Sequence, residues 1–337
     1  MSVLNSVSPP VSADLATVVR VLRGFGPARV PDMLRRCQLA DRQLLPALDA
    51  GLAAGRIVRD GDRYRVAEVP DPTPAQLATE LFNPHARLND KAAQWLRRLH
   101  ELAADRPSEH DEWHQRRVTL RSSLLRPLYL HYRGDAADRD VTLIGDNDLT
   151  SVAMFLVGGF RSIRVLEADP SVVEFLVKTF DQLDAGKTQI QAQVKVGIRE
   201  FDARQPLPND LYDSADVVMC DPSRRLYRSF FARADELLRD DGVFYTFVNP
   251  SHSPATGQFI FQRDAIAAGW ILTDSIPVIN ESPVRAGRVA PQHQAHYPDP
   301  GDHDDAISFT ESLVRFVRGP GLDAEDEIRR TIHDRAD

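Results

Sequence analysis

"DVTLIGDNDLTSVAM", residues 140–154, decides how the rest of the chain is read. Val141-Thr142-Leu143-Ile144 suits a buried strand, and a helix starts directly behind the polar residues that follow it. A nucleotide-binding fold places its glycine-rich loop at such a strand–turn–helix corner. Here the corner carries Gly145 and then Asp146, Asn147 and Asp148, two acids flanking an amide.

Downstream, strands and helices alternate. "SIRVLEAD" reads as a strand and "PSVVEFLVKTFDQL" as a helix. A strand lies in "IQAQVKVGIREFD" and another in "YDSADVVMCDPS". "RSFFARADELL" is helical, and "DGVFYTFVNP" is a strand opened by Asp241-Gly242. "QFIFQRDAIAAGW" is helical, and "ILTDSIPVI" and "ISFTESLVRFVRG" are the last two strands. Strands separated by helices of ten or more residues predict a parallel, doubly wound sheet. The final pair lacks an intervening helix and predicts an antiparallel edge. The expected fold is therefore α/β: a Rossmann-like sheet of the S-adenosylmethionine-dependent transferase type over residues 135–320, with a tail at 321–337.

Upstream, residues 1–12 are rich in Ser, Pro and Val and read as a frayed terminus. Three short helical segments begin at Ala13, Val30 and Asp41. Asp41 is a candidate N-cap and Gly55 a candidate C-cap. Asp60-Gly61 signals a hairpin. Three helices and a two-stranded wing predict a winged-helix domain at 13–69. Its third helix, "DRQLLPALDAGLAAG", has one Arg against two Asp, unlike a base-reading surface. Arg56, Arg59, Arg63 and Arg65 fit a solvated hairpin, so packing or dimerisation is the expected role. "PDPTP" (70–74) is a linker, and the segment 70–134 reads as linker plus helices.

The 337 residues suit two domains, and a net charge of −8 argues against nucleic acid while tolerating a cationic ligand. Two distant cysteines, Cys37 and Cys220, predict no disulfide. Without a signal segment or a membrane-length apolar run, the expected location is cytoplasmic. His110 and His114 lack a third ligand. His293, His296 and His303, in a turn-rich stretch with Asp302, Asp304 and Asp305, read as solvated, and no metal is expected.

In a doubly wound sheet, ligands sit outside the carboxyl ends of the strands. Those ends carry Gly145-Asp146-Asn147-Asp148, Glu167-Ala168-Asp169, Phe201-Asp202, Cys220-Asp221-Pro222 and Asn249-Pro250. Glu167 is placed to accept from a ribose diol, whereas Asp169, just before Pro170, suits a helix cap. Asp202 is placed for an exocyclic amine or a solvated turn. Asp221 is placed to hold or deprotonate a nucleophilic amine. A glycine loop serves a pyrophosphate, and S-adenosylmethionine has none. Asp146 and Asp148 at a helix N-terminus instead offer an ammonium a partner.

These residues resemble the branched-chain polyamine synthases, the N4-bis(aminopropyl)spermidine synthases. "GDNDLTS" (145–151) is similar to that family's Gly-Asp-Asp-Asp-Leu-Thr-Ser motif. "HQRRVTLRSSLLRPLYLHYRGD" (114–135) and "FDARQPLP" (201–208) are similar to its flanking segments, and the likeness runs from about residue 110 to about residue 250. It implies transfer of an aminopropyl group from decarboxylated S-adenosylmethionine to an amine, releasing methylthioadenosine. It further implies Gly145, Asp146, Glu167, Asp202 and Asp221 around the donor. Asp221, Asp146 and Asp148 would then serve the chemistry, and Asp148, Pro222, Arg224 and Arg225 the acceptor.

Two departures bear on the ligand. Asn147 replaces a third acid, and Ser223-Arg224-Arg225 follows Asp221-Pro222 where the family has a second proline and often an acid. Each lost acid or added arginine near an ammonium disfavours it by about 1 kcal/mol in water. Arginines there favour a carboxylate or phosphate, which admits intact S-adenosylmethionine and 3-amino-3-carboxypropyl transfer. The alternatives are a methyltransferase releasing S-adenosylhomocysteine, or a nucleoside-sensing winged-helix regulator that binds DNA. The expected partners are a small amine and a second copy of the chain, with no membrane.

Overall fold

The computed structural model describes residues 13–37, 41–67, 88–184, 191–223, 225–248, 255–283 and 307–319. The linker at 70–74, the helical stretch at 75–82, Arg224, Asn249, Pro250 and the His/Asp-bearing stretch around 293–305 lie outside them, as do both termini. The chain divides into two compact units, Met1–Ala86 with Leu128–Ala137, and Arg87–Pro127 with Asp138–Asp337.

Among the described residues of its first stretch, the first unit carries helices α1 (Ala13–Phe25), α2 (Val30–Cys37) and α3 (Asp41–Ala53), then β1 (Ile57–Asp60) and β2 (Arg63–Val66). Leu15, Val18, Leu22, Met33, Leu44, Leu48 and Ile57 form its core. The hairpin turns one residue later than the sequence suggests. Asp60 pairs with Arg63, so Gly61 and Asp62 are the loop, and Gly61 takes φ 61 at its first position. That geometry belongs to a II′ turn, which needs its left-handed residue first.

The second unit contains α4 (Asp90–Leu102), the first part of α5 (Leu120–Arg133), and the large sheet. Its elements run β3 (Asp140–Ile144), α6 (Thr150–Val157), β4 (Ser162–Glu167), α7 (Pro170–Asp184), β5 (Lys195–Glu200), β6 (Ala215–Cys220), α8 (Tyr227–Leu237), β7 (Leu238–Val248), α9 (Ala255–Ala267), β8 (Trp270–Pro283) and β9 (Ile307–Arg318). The strand order is β5-β4-β3-β6-β7-β9-β8. β5, β4, β3, β6 and β7 are parallel, and β9 runs antiparallel between β7 and β8.

This is a Rossmann-like, methyltransferase-type α/β fold with a mostly parallel central sheet. β6 is buried along its whole length, as a strand covered on both faces must be. Edge strand β5 is half-exposed to exposed throughout. β7 starts at Leu238, three residues before Asp241-Gly242. Leu238 leaves α8 directly into the core, is fully buried and pairs with Ala215, so burial overrides the turn signal.

The two ends of the sheet differ. At the amino ends of β3 and β6, Asp140 and Asp216 are tied to Arg161 and Arg239. The Arg161 guanidinium holds the Asp140 carboxyl well below the usual range. The carboxyl ends open instead onto a cavity of about 620 Å³.

Candidate active site

The cavity lies within the second unit, where an open α/β sheet receives its ligand. Gly145, Asn147, Asp148, Glu167, Asp202, Asp221, Pro222 and Arg225 all line it. Eight residues singled out in the sequence thus fall in the wall of one cavity. Asp146 is the exception: it is 1% exposed and not part of the lining.

The Asp146 carboxylate accepts from the Ser151 backbone N–H at 3.2 Å and from the Ser151 hydroxyl. It therefore caps α6, whose preceding residue, Leu149, sits in the left-handed region at φ 59 and makes no side-chain cap bond. Such a conformation is sparsely populated for a branched residue and persists only where its surroundings impose it. Burial pushes the Asp146 carboxyl up to about 7. Meanwhile its backbone N–H donates to Glu167 at 2.7 Å. The loop that would have cradled a phosphate turns its first acid inward, as part of the fold.

Glu167 receives a second backbone donor, the N–H of Asp169, at 3.0 Å. Both oxygens are fixed from behind, and burial raises the carboxyl above its ordinary range. Asp169 accepts from the N–H and hydroxyl of Ser171 at 2.9 and 2.6 Å, so it is the cap of α7 behind Pro170. Asp202 is grasped by Arg204 at 2.6 Å, and that contact lowers its carboxyl. The Arg204 guanidinium also lies over the Trp113 ring, 5.4 Å from its centroid. Leu166, Phe201 and Ala203 supply apolar wall nearby.

Arg126, on α5, organises the other end. Its Nη2 lies 3.0 Å from Asp148 Oδ2 and 2.9 Å from Asp221 Oδ2. Nη1 donates to Thr150 Oγ1 at 2.9 Å, and Nε donates to Asn280 Oδ1 at 3.1 Å. The guanidinium stacks 4.2 Å above the Phe247 ring centre. A planar fork with five donors suits such a junction, which a lysine could not serve. Asp148 also accepts from the Val118 N–H at 3.1 Å. The Asn280 amide donates to Asp221 at 2.9 Å and to Glu311 at 3.0 Å.

Burial, followed by the nearby Glu311 charge, raises the Asp221 carboxyl well above its ordinary value, and burial likewise raises Glu311. Sequence reasoning missed Arg126, Asn280 and Glu311. They lie on a helix before the sheet and on its last two strands, and no local motif marks them. The only available signal was that Arg126 sits in an otherwise apolar helical run, "LLRPLYL".

Among the described residues, no group of His, Cys, Asp or Glu is arranged to hold a metal ion. No described helix is long and apolar enough to cross a membrane. Both cysteines are buried, and neither forms a disulfide.

Residues 94–294 match the family model for the branched-chain polyamine synthase A C-terminal domain. The N(4)-bis(aminopropyl)spermidine synthase of Thermococcus kodakarensis is 32% identical over 196 residues, 57% of this chain and 54% of the relative. The enzyme of that name from Thermus thermophilus is 31% identical over 196 residues, 57% of this chain and 53% of the relative. The chain thus spans about half the length of the curated relatives it matches.

The crystal structure of the branched-chain polyamine synthase from Thermus thermophilus, in complex with N4-aminopropylspermidine and 5'-methylthioadenosine, has the same fold. It superposes with a TM-score of 0.57 at 21% identity, over 92% of this chain and 88% of that one. With a family model matched across more than half its length, the chain belongs to the branched-chain polyamine synthase family.

Proposed function

We propose that this chain transfers an aminopropyl-type group from an S-adenosylmethionine-derived donor to an amine, releasing methylthioadenosine. One observation carries the proposal. Asp148 and Asp221, from the ends of β3 and β6, converge on a single guanidinium nitrogen in the cavity that also holds Glu167. That gives a carboxylate end for a cation and a nucleoside end for the donor. The family's relatives, named for aminopropyl transfer, support the same division.

The chemistry asks little acid catalysis of the protein. The amine lone pair forms the new C–N bond as the C–S bond breaks, and the bonding electrons leave on sulfur as a neutral thioether. What the site must supply is an amine with its lone pair free, held in line with that bond. Asp221 is assigned to hold that amine and accept its proton. Glu167 is assigned to the ribose, Asp202 with Arg204 to the adenine edge, and Asp148 to the amine end. Asp146 acts at one remove, as the cap of α6 and the backbone donor to Glu167. Pro222 shapes the wall beside Asp221.

A second donor has specific support. Arg225 lines the same cavity and would suit the carboxylate of intact S-adenosylmethionine; Arg224 lies outside the described residues. We assign the first unit to the winged-helix class on its three helices, its hairpin and the bridge between Ala28 and Tyr64. The exposed face of α3 offers Asp41, Arg42, Gln43, Leu45, Pro46 and Asp49, and two acids against one arginine favour a packing role over base reading.

The proposal is tested by nucleoside-induced melting shifts, since a ligand that binds only the folded state raises Tm with its affinity. Methylthioadenosine is expected to shift Tm more than S-adenosylhomocysteine, and the two donors report whether the carboxylate is wanted. Glu167→Ala should lose most of the shift, because a charged acceptor is worth about 1.5–3 kcal/mol. Preference for S-adenosylhomocysteine would move the assignment to methyl transfer.

A further inference from the structure

We propose that Glu311 is the specificity-determining carboxylate of the acceptor site. It binds a second, non-reacting cationic nitrogen of the acceptor while Asp221 faces the attacking one. The inference rests on the transfer reaction proposed above. It concerns a residue outside the 94–294 stretch that matches the family model.

Charge balance distinguishes the three carboxylates at this end of the cavity. Asp148 and Asp221 share the Arg126 guanidinium. Among the described residues, Glu311 is bonded only by the neutral Asn280 amide. Two carboxylates on one guanidinium remain net negative, but each has part of its charge offset, so an arriving ammonium gains less from either than from a carboxylate with no direct guanidinium bond. Glu311 has no direct guanidinium bond, although Arg126 and Arg116 act on it at a distance, and it lines the cavity. The groups facing it are Asp221 at the end of β6, Asp148 after β3, Arg126 on α5, Asn280 on β8 and Arg116 across the cavity.

The backbone shows how Glu311 is aimed there. β8 and β9 pair Ile276 with Leu313 and then Asn280 with Glu311. Three residues of β8, Pro277 to Ile279, therefore oppose one residue of β9. Pro277 cannot donate to the ladder and is tolerated on this edge strand. Bulges beside active sites re-aim side chains, and this one sets the buried Asn280 directly opposite Glu311, which lines the cavity. The Asn280 amide then uses both hydrogens on the two carboxylates and its oxygen on Arg126. With every bonding position occupied it acts as a fixed spacer, holding the two acceptor oxygens about 5 Å apart. Two nitrogens joined by a short alkyl chain fit such a pair. Ser223 adds a polar group to the same wall: its hydroxyl is buried there without a hydrogen-bond partner among the described residues.

The test compares 1,3-diaminopropane with n-propylamine as acceptors, for the wild type and for Glu311→Gln. The wild type should prefer the diamine in kcat/KM by about 10- to 100-fold, the scale of one charge-assisted bond. Glu311→Gln should erase that preference through the diamine KM, while relief of the Glu311 charge on Asp221 moves the acid limb of kcat/KM down equally for both amines. A preference that survives the substitution would overturn the proposal. So would an equal loss of kcat with both amines, which would place Glu311 in the chemistry instead.

Calorimetric binding of the same two amines reads the same contrast without turnover. A failed reaction is thereby separated from a failed role for Glu311. Should Glu311→Gln not fold, as judged by its methylthioadenosine-induced melting shift, Glu311→Asp and the wild-type contrast decide. A wild type indifferent to the second nitrogen overturns the proposal by itself.

Discussion

Arg126→Met should lower the stability of the chain by about 3–5 kcal/mol, the cost of removing one member of a buried ion cluster and leaving its partners charged. Arg126 is 3% exposed. It bonds Thr150, Asp221 and Asn280 and pairs with Asp148, so its loss strands two carboxylates and a hydroxyl together. Methionine keeps the apolar stem and loses the guanidinium, including its stacking on Phe247, so the loss of the charged group is the main difference.

Urea unfolding should show the effect as a fall in midpoint at unchanged slope. Arg126→Lys should recover only part of it, because one ammonium cannot reach donors' partners on four sides. Adding Asp148→Asn to Arg126→Met should restore stability beyond additivity, since it removes a stranded charge. A midpoint loss below about 1 kcal/mol would mean that Arg126 occupies the cavity without holding it together.

Asp221→Asn should reduce kcat by about 10²- to 10⁴-fold, the usual contribution of a positioned base. Asparagine keeps the size of the group and an oxygen acceptor for Arg126 and Asn280, but neither the charge nor the proton affinity. Nucleoside melting shifts should survive, because Glu167 and Asp202 are untouched. Stability should hold or rise, since burial and the Glu311 charge already oppose ionisation at Asp221. Those same causes set the pH dependence. Asp221 must be ionised to accept a proton, and its carboxyl is raised, so the acid limb of kcat/KM should lie above the ordinary carboxylate range near 4. Equal losses in turnover and in nucleoside affinity would remove Asp221 from the chemistry.

The rhythm of strands and helices was legible because parallel strands buried on both faces read as apolar runs ending in polar residues. That pattern also located Asp148, Glu167, Asp202 and Asp221, since the carboxyl ends of such strands meet at one crevice. The role of Asp146 was not legible. Its neighbour two positions on enters the cavity, and only the left-handed Leu149 and the buried Ser151 decide that Asp146 turns inward. Arg126 was hidden for a different reason. An arginine within a helix carries no sign of what lies beyond the helix, and its partners are 22 to 154 positions away in sequence.

Glu311 depends on strand register. A bulge at Pro277 to Ile279 brings Asn280 opposite Glu311, and alternation alone cannot count the extra residues. The hairpin in the first unit shows the same weakness on a small scale, with the turn one residue later than Asp60-Gly61 suggested.

The central claim is alkyl transfer from the amino-acid arm of the donor, and the nucleoside product reports it most directly. The chain is incubated with decarboxylated or intact S-adenosylmethionine and an amine, and the released nucleoside is resolved by chromatography and mass. The account predicts methylthioadenosine in step with a mass gain on the amine, of aminopropyl size with the first donor or aminocarboxypropyl size with the second. S-adenosylhomocysteine with a methylated product would contradict it.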